Sequence, residues 1–151
     1  MRHGSPWIAA LLIIAGLALV ACSNSQAGAA SKREAPYKLE KVEGTGLSRV
    51  ILTKTAAERI KVQTVPLSEL PIARFGFALR KVIPYSALIY DIKGDTWTYT
   101  NPQPLTYLRT KLVVDFIEGD RVVLVDGPDT GTAIVTVGAA ELYGSETGIG
   151  K

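Results

Sequence analysis

Between residues 96 and 137 the sequence is a succession of short strand-like runs, each closed by a turn signal. In "TWTYT", residues 96 to 100, Trp97 and Tyr99 fall on one face and the threonines on the other, as in a strand. A longer run from Leu105 to Ile117 places Leu108, Leu112, Val114 and Phe116 on one side and Arg109, Lys111 and Asp115 on the other. It reads as a single strand. "EGD" then turns into "RVVLV", and "DGPDTG" into "TAIVTV". Turn signals every ten residues or so predict a mainly β fold, a small antiparallel barrel or sandwich with one short helix.

The same reading extends backwards. Folded sequence is expected from Tyr37, with a first clear strand at "RVIL", Arg49 to Leu52. Thr55 and Glu58 in "TAAERI" have capping-box spacing, predicting a helix of one or two turns. "IKVQTV" follows as a strand with Ile60, Val62 and Thr64 on one face. Beyond "SELP" the chain turns strongly β, and the Gly94 turn in "DIKGD" pairs "SALIY" with "TWTYT" as a hairpin. The glycine-rich tail "GAAELYGSETGIGK" is expected to fray after a short turn around Glu141.

Ahead of this lies "WIAALLIIAGLALV", residues 7 to 20, uncharged and preceded by Arg2 and His3, the layout of a secretory signal peptide. As a helix it would rise only about 21 Å, short of the roughly 30 Å hydrocarbon core. Leu19, Val20 and Ala21 before Cys22 resemble the lipobox of bacterial lipoproteins, in which the cysteine is diacylated and becomes the first mature residue. Two acyl chains give stable attachment where one is marginal. The expected organisation is therefore a signal peptide over 1–21, a lipidated N-terminus and tether over 22–36, and one β-rich domain over 37–151. The anchor places the domain on the extracytoplasmic face of a bacterial membrane. Ser23 after the cysteine favours the outer membrane in a two-membrane cell. After residue 21 the remaining 130 residues carry 16 basic and 14 acidic groups of interspersed sign, a net charge of +2. No stripe for phosphate contacts stands out, so nucleic acid is not an expected partner.

Chemistry is sparsely provided. Cys22 is the sole cysteine and His3 the sole histidine, so neither a disulfide nor a cysteine–histidine pair is available after residue 21. Asp91 with Asp95, and Asp126 with Asp129, flank Gly94 and Gly127 and read as β-turn residues instead of calcium ligands. No GxSxG occurs and no serine precedes a lysine by three, so no catalytic residue, metal or cofactor is expected. Tyr85, Tyr90, Trp97, Tyr99 and Tyr107 lie within 23 residues, and aromatics are enriched at protein interfaces. Half-burial is their commoner fate, yet this hairpin is the best candidate contact surface.

"VIPYSALIYDIKGDTWTYT", "YLRTKLVVDFIEGDRVVLVDGP" and "GTAIVTVGAAELYG" together resemble the membrane-proximal domain of periplasmic adaptor subunits, or membrane fusion proteins, of RND-type and related efflux pumps. Pro84, Ala87, Gly94, Trp97, Arg109, Gly119, Gly127, Gly131 and Gly138 fall on that pattern; Pro128, where the family usually has leucine, departs from it. "VILTKTAAERIKVQTVPLSEL" is similar to the piece preceding the adaptor's long insertion, so the resemblance covers about residues 48 to 143. The lipoyl domain and helical hairpin that adaptors insert are absent, replaced by "PIARFGFALR", and no heptad pattern occurs. The resemblance implies a non-catalytic domain contacting a transporter permease, an accessory or adaptor-like part of an export system held to membrane lipid through acylated Cys22. The alternative is a lipid-anchored binding module for an envelope component or apolar ligand, with no transporter partner.

Overall fold

The computed structural model describes residues 35–149; the expected signal peptide, Cys22 and nearly all of the tether lie outside them. The chain opens with β1 (Tyr37–Lys41) and β2 (Ser48–Leu52), antiparallel neighbours, followed by the six-residue helix α1 (Lys54–Arg59). Then come β3 (Gln63–Pro66), β4 (Ser68–Ile72), β5 (Ala78–Pro84), the two-residue β6 (Ile89–Tyr90) and β7 (Thr96–Gln103). The remainder is β8 (Thr106–Lys111), β9 (Val113–Glu118), β10 (Arg121–Asp126), β11 (Ala133–Val137) and the nine-residue helix α2 (Ala139–Thr147).

The strands form two antiparallel sheets in a sandwich-like arrangement not closed into a barrel. The first runs β1-β2-β8-β7-β11-β3, with β6 also paired to β7, and the second runs β4-β5-β10-β9. Two of the passages between sheets take a single residue each: Leu67 between β3 and β4, and Leu112 between β8 and β9. Both leucines are buried, at 2% and 1% exposure, in the same cluster with Ile83, Val122, Leu124 and Ile134. Their backbones are tied as well. Leu67 N–H donates to Thr132 O and Leu112 N–H to Thr96 O, at 2.8 and 2.9 Å. A corner can thus be buried without orphaned amides.

A second cluster, with Val50, Leu52, Tyr99, Tyr107 and Val135, fills the space between one face of the first sheet and the helices, to which Ala56, Ala139 and Leu142 contribute. A third and smaller one, Ile72, Val82 and Val123, lies on the other face of the second sheet, where Phe75 and Phe116 pack on it.

Several expectations are corrected. The run from Leu105 to Ile117 is not one strand. Leu105 sits in the β7–β8 turn at φ +60, and the chain changes sheets at Leu112. The alternation passes through the corner unchanged because a buried apolar residue satisfies either sheet. Helix α1 is capped by Thr53, whose hydroxyl accepts from Ala56 N–H, so Thr55 is inside the helix. Ile60 and Val62 pack against the helix-side cluster, and Lys61, at φ +51, turns the chain before the strand starts at Gln63. Of "SALIY" only Ile89 and Tyr90 pair with "TWTYT"; Tyr85–Ala87 is a 3-10 turn. The tail forms α2 between Gly138 and Gly148, both at positive φ, because Ala139 and Leu142 have core to bury against.

Candidate functional site

The aromatic residues of the expected contact surface do not form one surface. Tyr99 and Tyr107 are buried, at 0% and 5% exposure, under the helices. Trp97 is half-buried, and only Tyr85 and Tyr90 are substantially open, at 49% and 50%. The period-two reading placed Trp97 and Tyr99 on one face correctly. That face, however, is the one the C-terminal helix covers.

On it the register sets Trp97 opposite Lys111 and Tyr99 opposite Arg109. Helix α2 carries Ala139, Leu142 and Glu146 at positions i, i+3 and i+7, hence on one stripe. Its last turn delivers the Glu146 carboxylate onto this pair. Arg109 Nη2 donates to Glu146 Oε1 at 3.3 Å and Nε lies 3.1 Å from Oε2, an ion pair whose side chains are 12% and 5% exposed. Tyr99 OH donates to Oε2, and Ser48 N–H to Oε1 at 3.4 Å. The guanidinium lies over the Trp97 ring, 4.6 Å from its centroid, and 5.4 Å from that of Tyr143.

The arrangement extends outward through Trp97. Its indole N–H donates to Asp91 Oδ2 at 3.1 Å, while Asp91 Oδ1 accepts the N–H groups of Lys93 and Asp95 and so closes the β6–β7 turn. Burial pushes the Asp91 carboxyl pKa up, but the bonds from Lys93, Asp95 and Trp97 outweigh it and hold the group below its ordinary value. Lys111 Nζ reaches Asp95 at 3.3 Å on the exposed side.

Chemically the centre is closed. Three hydrogen bonds, from Arg109 Nη2, Tyr99 OH and Ser48 N–H, and the close Arg109 Nε occupy the two Glu146 oxygens. Burial first, then the hydrogen bond to Glu146 and its negative charge, push the Tyr99 phenol far above its ordinary 10.0. What the cluster does is fasten α2 to the sheet. A raised acid pKa in the fold gives stability that is complete below the unfolded value and lost above it. Thermal melts should therefore show the midpoint dropping above pH 10, and this loss should be smaller in Tyr99→Phe. An equal alkaline loss in both proteins would refute the role of Tyr99.

Glu146 was not singled out in the sequence, although the Ala139, Leu142 and Glu146 spacing was a usable signal. The tail's glycines masked it. Among the described residues the surface also carries open hollows. One of about 400 Å³ lies between Ile72, Arg74, Phe116 and Arg121, and one of about 260 Å³ between Arg49, Ile51, Gln103 and Leu108. Among the described residues no helix is long and apolar enough to cross a membrane. Neither protein families, nor curated proteins, nor solved structures yield a match to this chain.

Proposed function

We propose that this chain is a lipid-anchored, non-catalytic accessory or adaptor-like component of a membrane export system, contacting a transporter permease from the extracytoplasmic side. One observation carries the reading. The two stretches similar to adaptor sequence are split in the chain yet interleaved in the fold: β2 lies beside β8, and β3 beside β11. The connector "PIARFGFALR" is the end of β4, a 3-10 turn and the start of β5. A protein could carry a long insertion at that hairpin turn without breaking the interleaved sheet. The lipobox-like Leu19-Val20-Ala21-Cys22 supports the location, since the diacylated cysteine would hold the domain beside the bilayer.

The test is cross-linking of the tagged full-length chain in its native membranes, followed by pull-down under conditions that preserve known pump complexes. Recovery of a permease is the expected result. Recovery of the chain with no permease counts against the proposal. The hollow of about 400 Å³, with Phe116 and Ile72 in its lining and Arg74 and Arg121 beside them, favours a second reading as a binding module. A ligand-dependent rise in melting temperature without any permease partner would select it.

A further inference from the structure

The hairpin between β4 and β5 ends in a run that the packing of the domain does not use. Gly76, Phe77, Ala78 and Leu79 are consecutive and exposed, with Phe77 at 70% and Leu79 at 63%. Four exposed apolar residues in sequence mark a contact or a liability. Their display is built. Phe75 turns inward, its ring 6.2 Å from that of Phe116, and the Arg80 guanidinium caps it at 4.3 Å. Phe77 turns outward from a left-handed backbone, φ +64, unusual for a bulky residue, and its N–H is held by Ile72 O at 3.0 Å. Arg74, over the Phe116 ring at 5.1 Å, and Arg80 therefore flank the apolar tip as held cations.

Charge selects the occupant. Between Glu69 and Asp91 the chain has no acidic residue, while Arg74, Arg80 and Lys81 are basic. An apolar tip with an aromatic ring, bracketed by arginines, matches the boundary of an anionic bilayer: rings enter the acyl edge and guanidinium groups meet phosphates. We infer that the β4–β5 tip, through Phe77 and Leu79 with Arg74 and Arg80, rests in an anionic lipid surface and orients the domain on the membrane.

The inference rests on the anchored reading of Cys22. Fourteen residues separate Cys22 from Tyr37, a maximum span of about 48 Å. A domain of this length is about 35 Å across, so the tether lets any face turn to the bilayer. The tip would then choose which face does.

The experiment uses full-length chain, matured and reconstituted into phosphatidylcholine–phosphatidylglycerol vesicles, with an environment-sensitive fluorophore on Phe77→Cys or Leu79→Cys. Glu43→Cys, in the β1–β2 turn of the other sheet, serves as the reference. Lipid-borne quenchers should dim the tip labels at least about twofold more than the reference, and the difference should shrink without phosphatidylglycerol. Equal quenching at 77, 79 and 43 overturns the inference. Labels shielded from aqueous iodide in native membranes but untouched by lipid quenchers also overturn it, and assign the tip to a protein. The mass of the N-terminal peptide reports separately whether Cys22 carries acyl chains. Should Cys22 prove bare, the anchor reading falls, and the same labels on a Cys22→Ser background still decide the tip.

Discussion

Glu146→Ala is expected to destabilise the domain by about 3–5 kcal/mol, because it leaves the Arg109 guanidinium buried without its counter-charge. It also strips the acceptor from Tyr99 OH, adding the desolvation cost of an unpaired hydroxyl. Against a typical total of about 5–15 kcal/mol, that loss is a large fraction of what holds the fold. The pair is not expected to be worth as much in itself. Removing both charges and the orphaned hydroxyl together, as in Arg109→Met with Glu146→Leu and Tyr99→Phe, should recover most of the loss, since a buried pair roughly breaks even against apolar residues of similar volume. Urea unfolding followed by Trp97 fluorescence measures both, because Arg109 lies on that ring. A Glu146→Ala loss below about 1 kcal/mol, the range of an exposed ion pair, would show that the carboxylate is not the fastening described.

The second large effect is at the corner. Leu112→Ala should cost about 2–5 kcal/mol, toward the upper end because the site cannot collapse onto the cavity. Leu112 N–H donates to Thr96 O, and its carbonyl accepts from Thr96 Oγ1 at 2.8 Å, so the backbone is held in place around the missing side chain. Val113→Ala, one residue on but 46% exposed, should cost well under about 1 kcal/mol. A coupled test lies at Gly127, where an added Cβ would stand 3.0 Å from Leu112 Cδ2 and 3.1 Å from Leu124 Cδ1. Gly127→Ala should therefore be better tolerated beside Leu112→Ala than in the parent. Additive losses in denaturant melts would mean that the corner is not packed as described.

The difficulty of locating these two positions in the sequence has a physical origin. A corner leucine keeps the alternation of the strands it joins, so Leu112 is invisible to a period-two reading even though "RTKL" and "VVDF" belong to different sheets. Thr53 was missed as a cap because Thr55 and Glu58 offered the same chemistry two residues later. Glu146 lay among glycines that argue against a helix. Gly144 is tolerated inside α2, where a Cβ would meet Ile149 O at 3.2 Å as the chain passes over the helix end.

The residue pattern alone determined that the domain would be antiparallel β, that Trp97 and Tyr99 would share a face, and that Asp91 and Gly94 would make a turn. These are properties of neighbours in the chain, set by side-chain alternation and by local hydrogen bonds. Only the tertiary structure decided which face is covered. Alternation says that two faces differ but not which one receives a helix, and α2, whose Glu146 lies 47 residues after Tyr99, buries the aromatic side. It also decided that Arg109 would be an enclosed cation and Phe77 an exposed ring, because burial depends on what packs from elsewhere in the chain.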